Sequence, residues 1–172
     1  MTGVRLLMQS RSAKDIAIRS QREEEWCLGI TIFELIIAVL IVFTLTGIAL
    51  PLYTRYRDNV KMVQAVADIR TIEHDIYIYE GYATKLPDDL SQIGKGLLRD
   101  PWGNSYQYYN AQTGTGKGKQ RFDKLFKPLN TDFDLYSMGK NGQSENNLDK
   151  PVSLDDIVRA LNGEYVGLAS EY

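Results

Sequence analysis

The sequence predicts an α+β fold in which a long N-terminal helix packs on a small antiparallel β-sheet, followed by a C-terminal loop and a short helix. Residues 30–52 form an apolar run, and apolar residues then recur every three or four positions between charged ones up to residue 79. Further along the chain, short aromatic-rich segments alternate with turn residues, as in antiparallel strands. Together these patterns favour one compact body on a hydrophobic helix.

The long helix is predicted to have a membrane-spanning half and an amphipathic half. At ~1.5 Å per residue, residues 30–52 extend about 35 Å, which is enough to cross a hydrocarbon core of ~30 Å. The second half carries an apolar stripe that predicts packing on a globular layer, and Gly81 is its predicted stop. The stripe consists of Val60, Val63, Val66, Ile69, Ile72, Ile76 and Tyr79.

Residues 106–109 and 133–136 are the clearest strand candidates, and the glycine-rich stretch at residues 114–119 is the predicted hairpin tip between them. Trp102, which lies beside a turn, is expected to fill the core. Residues 153–163 predict a short helix, with Ser153 and Asp156 spaced as a capping box and Gly163 as the stop.

The composition argues against several classes of function. A net charge of -2 provides no basic surplus for a phosphate backbone, so nucleic acid is not an expected partner. The chain has one cysteine, Cys27, and therefore cannot form an internal disulfide. His74 is the single histidine, and no nucleophile and base pair is visible around it. These observations predict a protein that is not an enzyme.

Glu34 is the one charged residue in the apolar run. An unpaired acid at the middle of a membrane helix costs roughly 2.5–3.5 kcal/mol, so such residues usually have a partner and a task. The alternative is a side chain that merely reaches the membrane interface. Five basic residues precede the run and predict a cytoplasmic N-terminus. They are Arg5, Arg11, Lys14, Arg19 and Arg22.

Gly29, the apolar run and Glu34 together resemble the prepilin signature of the type IV pilin superfamily. The resemblance implies that a membrane peptidase cuts after Gly29, that Ile30 becomes the N-methylated first residue, and that its amine pairs with Glu34 of a neighbouring subunit. It divides the chain into a leader at 1–29, a membrane and assembly segment at 30–52, and a periplasmic domain at 53–172. The leader is longer and more acidic than is usual in the family, and Met8 is an alternative start.

Four further segments make the chain similar to the major pseudopilins of type II secretion, over nearly all of residues 29–158. They are residues 100–104 (Asp-Pro-Trp-Gly-Asn), 106–108, 134–139 and 141–142. The resemblance implies a pilin-like fold and a homopolymeric fibre that drives export of folded proteins across the outer membrane. The implied partners are minor pseudopilins, an inner-membrane assembly platform, the prepilin peptidase and the exported proteins. The implied location is the inner membrane, with the globular domain in the periplasm.

The same resemblance implies calcium in the C-terminal loop. The ligand candidates are the carbonyls of Met138 and Gln143, the side chain of Asn141, and the carboxylates of Asp155 and Asp156. A hard cation of this kind takes oxygen ligands from flexible loops. Asn141 stands where the family often has aspartate, and a longer loop makes Asp149 an alternative to Asp155. The other reading is that the two adjacent aspartates belong to the start of a helix.

Two more features leave alternatives open. Pro51 has no amide hydrogen to donate to the carbonyl of Gly47, so the shared turn either bends during assembly or is a static kink. A set of basic residues forms a solvated loop or contacts an acidic face of the next subunit. This set is Lys117, Lys119, Arg121, Lys124 and Lys127.

Two rival functions remain at this stage. One is a type IV pilin or minor pilin for adhesion or twitching motility, against which the lack of paired cysteines and the Asp-Pro-Trp-Gly segment argue. The other is a membrane-anchored periplasmic enzyme or binding protein, which leaves Glu34 unexplained. Loss of twitching with intact secretion favours the first rival, and activity of a soluble fragment on small substrates favours the second.

Overall fold

The computed structural model describes residues 29–172. Residues 29–51 belong to one compact unit, and residues 52–172 form a second. Predictions that concern residues 1–28, among them the leader's basic residues and the alternative start at Met8, lie outside the described part of the chain.

Helix α1 extends over Ile32–Ala83, 52 residues, and continues through Pro51. In the second unit it buries one stripe against the sheet, formed by Ala65, Ile69, Ile72 and Ile76. The core begins near Met62, and the predicted stripe is wrong at Val60 and Val63, which are 48% and 64% exposed. The helix ends two residues beyond Gly81, where Thr84 adopts a left-handed φ of 54° and donates its N–H to the Glu80 carbonyl at 2.8 Å.

The sheet is a four-stranded antiparallel meander in the order β1-β2-β3-β4. Its strands are β1 (Gln107–Asn110), β2 (Phe133–Ser137), β3 (Ile157–Ala160) and β4 (Tyr165–Leu168). The register places Tyr108 opposite Leu135 and Tyr136 opposite Val158. The predicted α+β class and the two clearest strand candidates are therefore confirmed.

The predicted helix at residues 153–163 is wrong. Residues Pro151–Ser153 form a single 3₁₀ turn, β3 follows, and the 3₁₀ turn Leu161–Gly163 leads into β4. The Ser153 hydroxyl accepts a hydrogen bond from the Glu145 N–H at 2.9 Å instead of capping a helix. All four residues of β3 are buried, and its two β-branched residues suit a central strand better than a helix.

Apolar side chains cover both faces of the sheet. One face packs on the helix stripe through Tyr108, Phe133, Leu135 and Ile157, and Trp102 packs at the edge of this cluster as predicted. The other face holds a smaller cluster, consisting of Leu129, Tyr136, Leu148, Val158, Ala160 and Ala169. Because both faces are covered, all five residues of β2 are buried, the polar ones included.

The glycine-rich stretch lies against β1. Gly116 has a φ of 121°, and a Cβ there would collide with the Tyr108 carbonyl, so only glycine fits. The N–H of Gly118 donates to that same carbonyl at 2.8 Å. The predicted turn is therefore packed on the strand that precedes it.

Candidate functional site

The apolar half of α1 is exposed along its whole described length. Every residue from 29 to 57 is exposed, including Ile32 at 70%, Phe33 at 74% and Phe43 at 71%. Within the described residues this is the one helix long and apolar enough to cross a membrane, judged by length and composition. A continuous apolar surface of this size requires lipid or another protein as its cover.

The polar side chains of this segment are satisfied locally. The Thr44 hydroxyl donates to the Ile41 carbonyl at 2.8 Å, and the Thr46 hydroxyl donates to the Val42 carbonyl at 2.7 Å. Such back-bonding keeps hydroxyl groups compatible with hydrocarbon. The carboxylate of Glu34 therefore remains the unusual group of the segment.

Glu34 lies in the first turn of α1. The Thr31 hydroxyl accepts a hydrogen bond from the Glu34 N–H at 3.2 Å and so caps the helix. Thr31 and Glu34 have the spacing of a capping box, a signal that sequence reasoning missed. The helix dipole favours an acid at this end. Among the described residues, however, the Glu34 carboxylate has neither a hydrogen-bond partner nor an ion-pair partner.

The neighbouring candidates Gly29 and Ile30 are also exposed, Ile30 at 73%. A Cβ at Gly29 would meet no described atom within 4 Å, so packing does not require glycine there. The same holds for Gly47, which α1 passes without a break on its way to Pro51. A turn that bends during assembly therefore stays a prediction.

The C-terminal loop, residues 138–156 between β2 and β3, brings together part of the predicted calcium site. The Asn141 side-chain amide donates to Asp155 Oδ1 at 2.6 Å and to the Val152 carbonyl at 2.8 Å, and the Asn141 N–H donates to Asp155 Oδ2 at 2.9 Å. Asn141 Oδ1 accepts a hydrogen bond from the Gln143 N–H at 2.6 Å. The Val152 carbonyl is a candidate oxygen that sequence reasoning missed.

Two other candidates lie apart from this arrangement. Met138 packs with the smaller apolar cluster, and no described hydrogen bond links its carbonyl to Asn141 or Asp155. Asp149 is exposed, and its N–H donates to Asn147 Oδ1 at 2.8 Å. No described contact links Asp149 to Asn141 or Asp155.

The Asp-Pro-Trp-Gly-Asn turn braces this loop. Asp100 is buried and accepts hydrogen bonds from the N–H groups of Trp102 at 3.0 Å and Asn104 at 2.8 Å. The Asn104 side chain in turn donates to the Gly139 carbonyl at 2.8 Å. Gly139 has a φ of 60° and leaves no room for a Cβ against Asp155. The turn that carried the resemblance is thus hydrogen-bonded to Gly139, which packs directly against Asp155.

Asp156 turns into the interior. Its Oδ2 accepts from Arg121 Nη2 at 2.5 Å and from the Ser144 hydroxyl at 2.6 Å, and Arg121 also donates to Ser144. Burial raises the pKa of Asp156 to about 6, against the opposing effect of the Arg121 charge. Asp156 Oδ1 and Arg121 Nε are buried without a hydrogen-bond partner in the described part of the chain.

The prediction that Arg121 belongs to a basic surface patch is therefore wrong, since Arg121 is 1% exposed. Its N–H donates to Asp134 Oδ2 at 2.9 Å, and its guanidinium lies 4.5 Å from the centre of the Tyr136 ring. The other members of the patch, Lys117, Lys119, Lys124 and Lys127, are exposed as expected. An interior carboxylate needed a counter-charge, and Arg121 provides it.

The oxygens of Asn141, Asp155 and Val152 that would suit a hard cation are already hydrogen-bonded. The side-chain amide of Asn141 donates to both the Val152 carbonyl and Asp155 Oδ1, so a cation would have to displace that amide to reach them. Within the described residues, no group of three or more His, Cys, Asp or Glu side chains converges, so carbonyl and amide oxygens have to complete any such site.

A second buried arginine joins α1 to the sheet. Arg159 on β3 donates to Glu73 at 2.7 Å, to Asp132 at 2.7 Å and to the Phe133 carbonyl at 2.9 Å. The hydrogen bonds to both carboxylates raise the pKa of Arg159 although burial opposes this. Sequence reasoning missed this cluster, although Glu73 directly follows the apolar stripe residue Ile72.

Comparison with known proteins identifies a relative among the secretion proteins. The type II secretion system core protein G of Pseudomonas aeruginosa is 29% identical over 145 residues, covering 70% of this chain and 91% of the relative. The chain is a distant relative of this major pseudopilin. The predicted resemblance is thereby confirmed, and because pseudopilins are structural proteins, the relationship supports the predicted non-enzymatic role. No family model and no solved structure matches the chain.

Proposed function

We propose that this chain is the precursor of a major pseudopilin, a membrane-anchored subunit that polymerises through α1 into a fibre for protein secretion. The observation that carries the proposal is the exposed apolar half of α1, residues 32–52, in which Glu34 is the one charged residue and follows Gly29 and Ile30 closely in the sequence. This arrangement belongs to a chain related to the core protein G of a secretion system.

Cleavage after Gly29 is the first step. Gly29 is exposed, and a Cβ there would meet no described atom, so this position is accessible to a prepilin peptidase. Cleavage gives Ile30 a free α-amine, and N-methylation leaves that amine cationic. The new charge then lies four residues before Glu34 in the sequence, and Ile30 itself precedes the first residue of α1.

Assembly follows from the two charges. Glu34 of one subunit and the Ile30 amine of the next are each costly alone in hydrocarbon and attract strongly there. The apolar surface moves from lipid to neighbouring helices, so burial alone supplies little drive and an inner-membrane assembly platform is required. Minor pseudopilins and exported proteins are the further partners of the fibre.

The membrane orientation is that of a single-pass protein with a cytoplasmic N-terminus. Basic residues before the apolar run keep that end inside, and the second unit is then periplasmic. In this proposed orientation the second unit lies in the periplasm, the compartment in which the secretion fibre would act.

Processing is tested by intact mass spectrometry of the chain purified from membranes with and without a prepilin peptidase. With the peptidase we expect an N-terminus at Ile30 carrying one methyl group, and without it the full chain. A Gly29→Val variant should keep its leader, whereas Gly47→Val, in the same exposed helix, should be cut normally. An uncut wild-type chain, or a cut at another residue, contradicts the proposal.

We further propose calcium binding by the C-terminal loop through Asn141, Asp155 and the Val152 carbonyl, with Asp156 Oδ1 and the carbonyls of Met138 and Gln143 as the remaining candidates. Bound calcium supplies a charge that joins these oxygens. Calcium titration of the full chain in detergent tests this. Asp155→Asn should weaken binding at least tenfold relative to the exposed control Asp149→Asn. Equal affinities of the two variants contradict the role of Asp155.

A further inference from the structure

A positively charged side chain, that of Arg121, contacts the C-terminal loop. Arg121 and Asp156 form an ion pair at 2.5 Å, with 1% and 0% of their side chains exposed. The same guanidinium donates to Ser144, and it lies against the Tyr136 ring. One side chain thus ties the middle of the loop and its end to the sheet.

The backbone of Arg121 adds a further link. Its N–H donates to Asp134 Oδ2 at 2.9 Å, and its carbonyl accepts the Leu129 N–H at 3.0 Å. Asp134 is itself buried on β2, and its Oδ1 accepts a hydrogen bond from the Asn130 side-chain amide at 2.7 Å. Hydrogen bonds to its N–H and its carbonyl therefore fix the main chain of Arg121. Holding its guanidinium against the loop then costs little additional conformational entropy.

The charge balance of the loop follows from this pair. Asp155 and Asp156 are the acidic ligand candidates that the resemblance supplies, and Asn141 is neutral. Asp156 already shares its charge with Arg121, so Asp155 alone offers an uncompensated carboxylate to a divalent ion. Calcium affinity rises with the number of ligand charges, and this loop offers few.

We propose that Arg121 is a resident cation that holds the C-terminal loop closed without a divalent ion. Calcium is then a weak and dispensable ligand of this chain, and removal of Arg121 makes the loop dependent on calcium. The proposal rests on the calcium site proposed above, but its outcome leaves cleavage after Gly29 and filament assembly through Glu34 untouched. The processing experiment therefore fails or succeeds independently of it.

The wild-type chain gives the first test. Thermal unfolding of the full chain in detergent is followed by near-ultraviolet circular dichroism, in excess EGTA and in millimolar calcium. Because calcium binds the wild type only weakly, we expect the midpoint temperatures in the two solutions to differ by no more than about 1 °C. A wild-type midpoint that falls by several degrees in EGTA overturns the proposal, because the loop would then depend on the metal.

The decisive variant is Arg121→Gln. In EGTA its midpoint should fall by several degrees, because Asp156 is left buried without a counter-charge. Calcium should restore most of the loss, and the calcium dissociation constant should decrease roughly tenfold, because Asp156 no longer shares its charge with a guanidinium. Arg121→Lys, which keeps a positive charge, should remain insensitive to EGTA.

Arg159→Gln is the matched control. Arg159 is an equally buried arginine that pairs with Glu73 and Asp132, and no described contact connects it to the loop. Its loss should also lower the midpoint, but calcium should neither restore it nor bind more tightly. Equal rescue of both variants, or no calcium effect on Arg121→Gln, overturns the proposal. Should Arg121→Gln fail to fold, the wild type and Arg121→Lys still decide it.

Discussion

At the scale of single residues, three charged side chains define this protein, one in the exposed apolar segment and two in the interior of the second unit. Glu34 gains a capping threonine and a favourable helix end, yet its carboxylate has no described partner. Arg121 and Arg159, in contrast, are each surrounded by acceptors in the interior of the second unit. We propose that Glu34 pairs with a neighbouring subunit, whereas the two arginines are paired within the fold.

Stability should depend on pH through Asp134. Burial raises the pKa of this carboxyl to about 6, although Asn130 and the Arg121 N–H lower it in part. The folded chain therefore keeps a proton at a pH where the unfolded chain, with an aspartate pKa of about 3.9, has lost it. Folding is favoured as the pH falls through the folded pKa towards the unfolded one.

We accordingly expect the midpoint of thermal unfolding to rise by several degrees as the pH is lowered from about 7.5 to about 5. Asp134→Asn should remove about half of that rise, because buried Asp156 contributes in the same direction. The slope against pH, measured by circular dichroism, is the readout, since the substitution also changes absolute stability. A midpoint that falls steadily as the pH is lowered over this interval contradicts the raised pKa values of Asp134 and Asp156.

At the scale of elements, the sequence pattern located α1 and two strands but misassigned the C-terminal segment. Residues 153–163 carry a serine and an acid spaced as a capping box, yet they form β3 and its turns. β3 pairs with the buried strand β2. Leu161 and Asn162 then adopt left-handed φ values of 55° and 53° in the turn that joins β3 to β4. Tertiary pairing overrode a local helix signal.

The sequence pattern also did not predict where the buried stripe of α1 begins. Val60 and Val63 follow the same spacing as the buried residues, but the apolar cluster starts near Met62 and Ala65. Periodicity indicates which face of a helix is apolar and does not indicate where its cover begins. These valines add to the exposed apolar surface of the chain.

The brace on the C-terminal loop can be tested with two glycines. Gly139→Ala forces a side chain into a φ of 60° and against Asp155, and should lower the free energy of unfolding by more than about 2 kcal/mol. Gly81→Ala has open space within α1 and should raise it by about 0.5–1 kcal/mol. Urea unfolding of both variants measures these changes. A neutral Gly139→Ala contradicts the brace.

At the scale of the whole molecule, the sequence was sufficient for the fold class and for the N-terminal signature, because both depend on patterns local in the chain. The buried ion pairs were not predictable, since Glu73 and Arg159 are 86 residues apart and Arg121 and Asp156 are 35 apart. Only the fold brings such groups together. The calcium candidates lie between these cases: Asn141 and Asp155 meet, and Asp156 is engaged by Arg121.

The central claim is that Glu34 pairs with the Ile30 amine of an adjoining subunit. It is tested most directly by the fraction of the chain recovered in sheared fibres for Glu34→Gln, with Glu164→Gln as a control at an exposed site outside the apolar segment. We expect Glu34→Gln to be cut, to remain in the membrane and to be lost from fibres, whereas Glu164→Gln assembles like the wild type. Assembly of Glu34→Gln at the wild-type level would contradict the account.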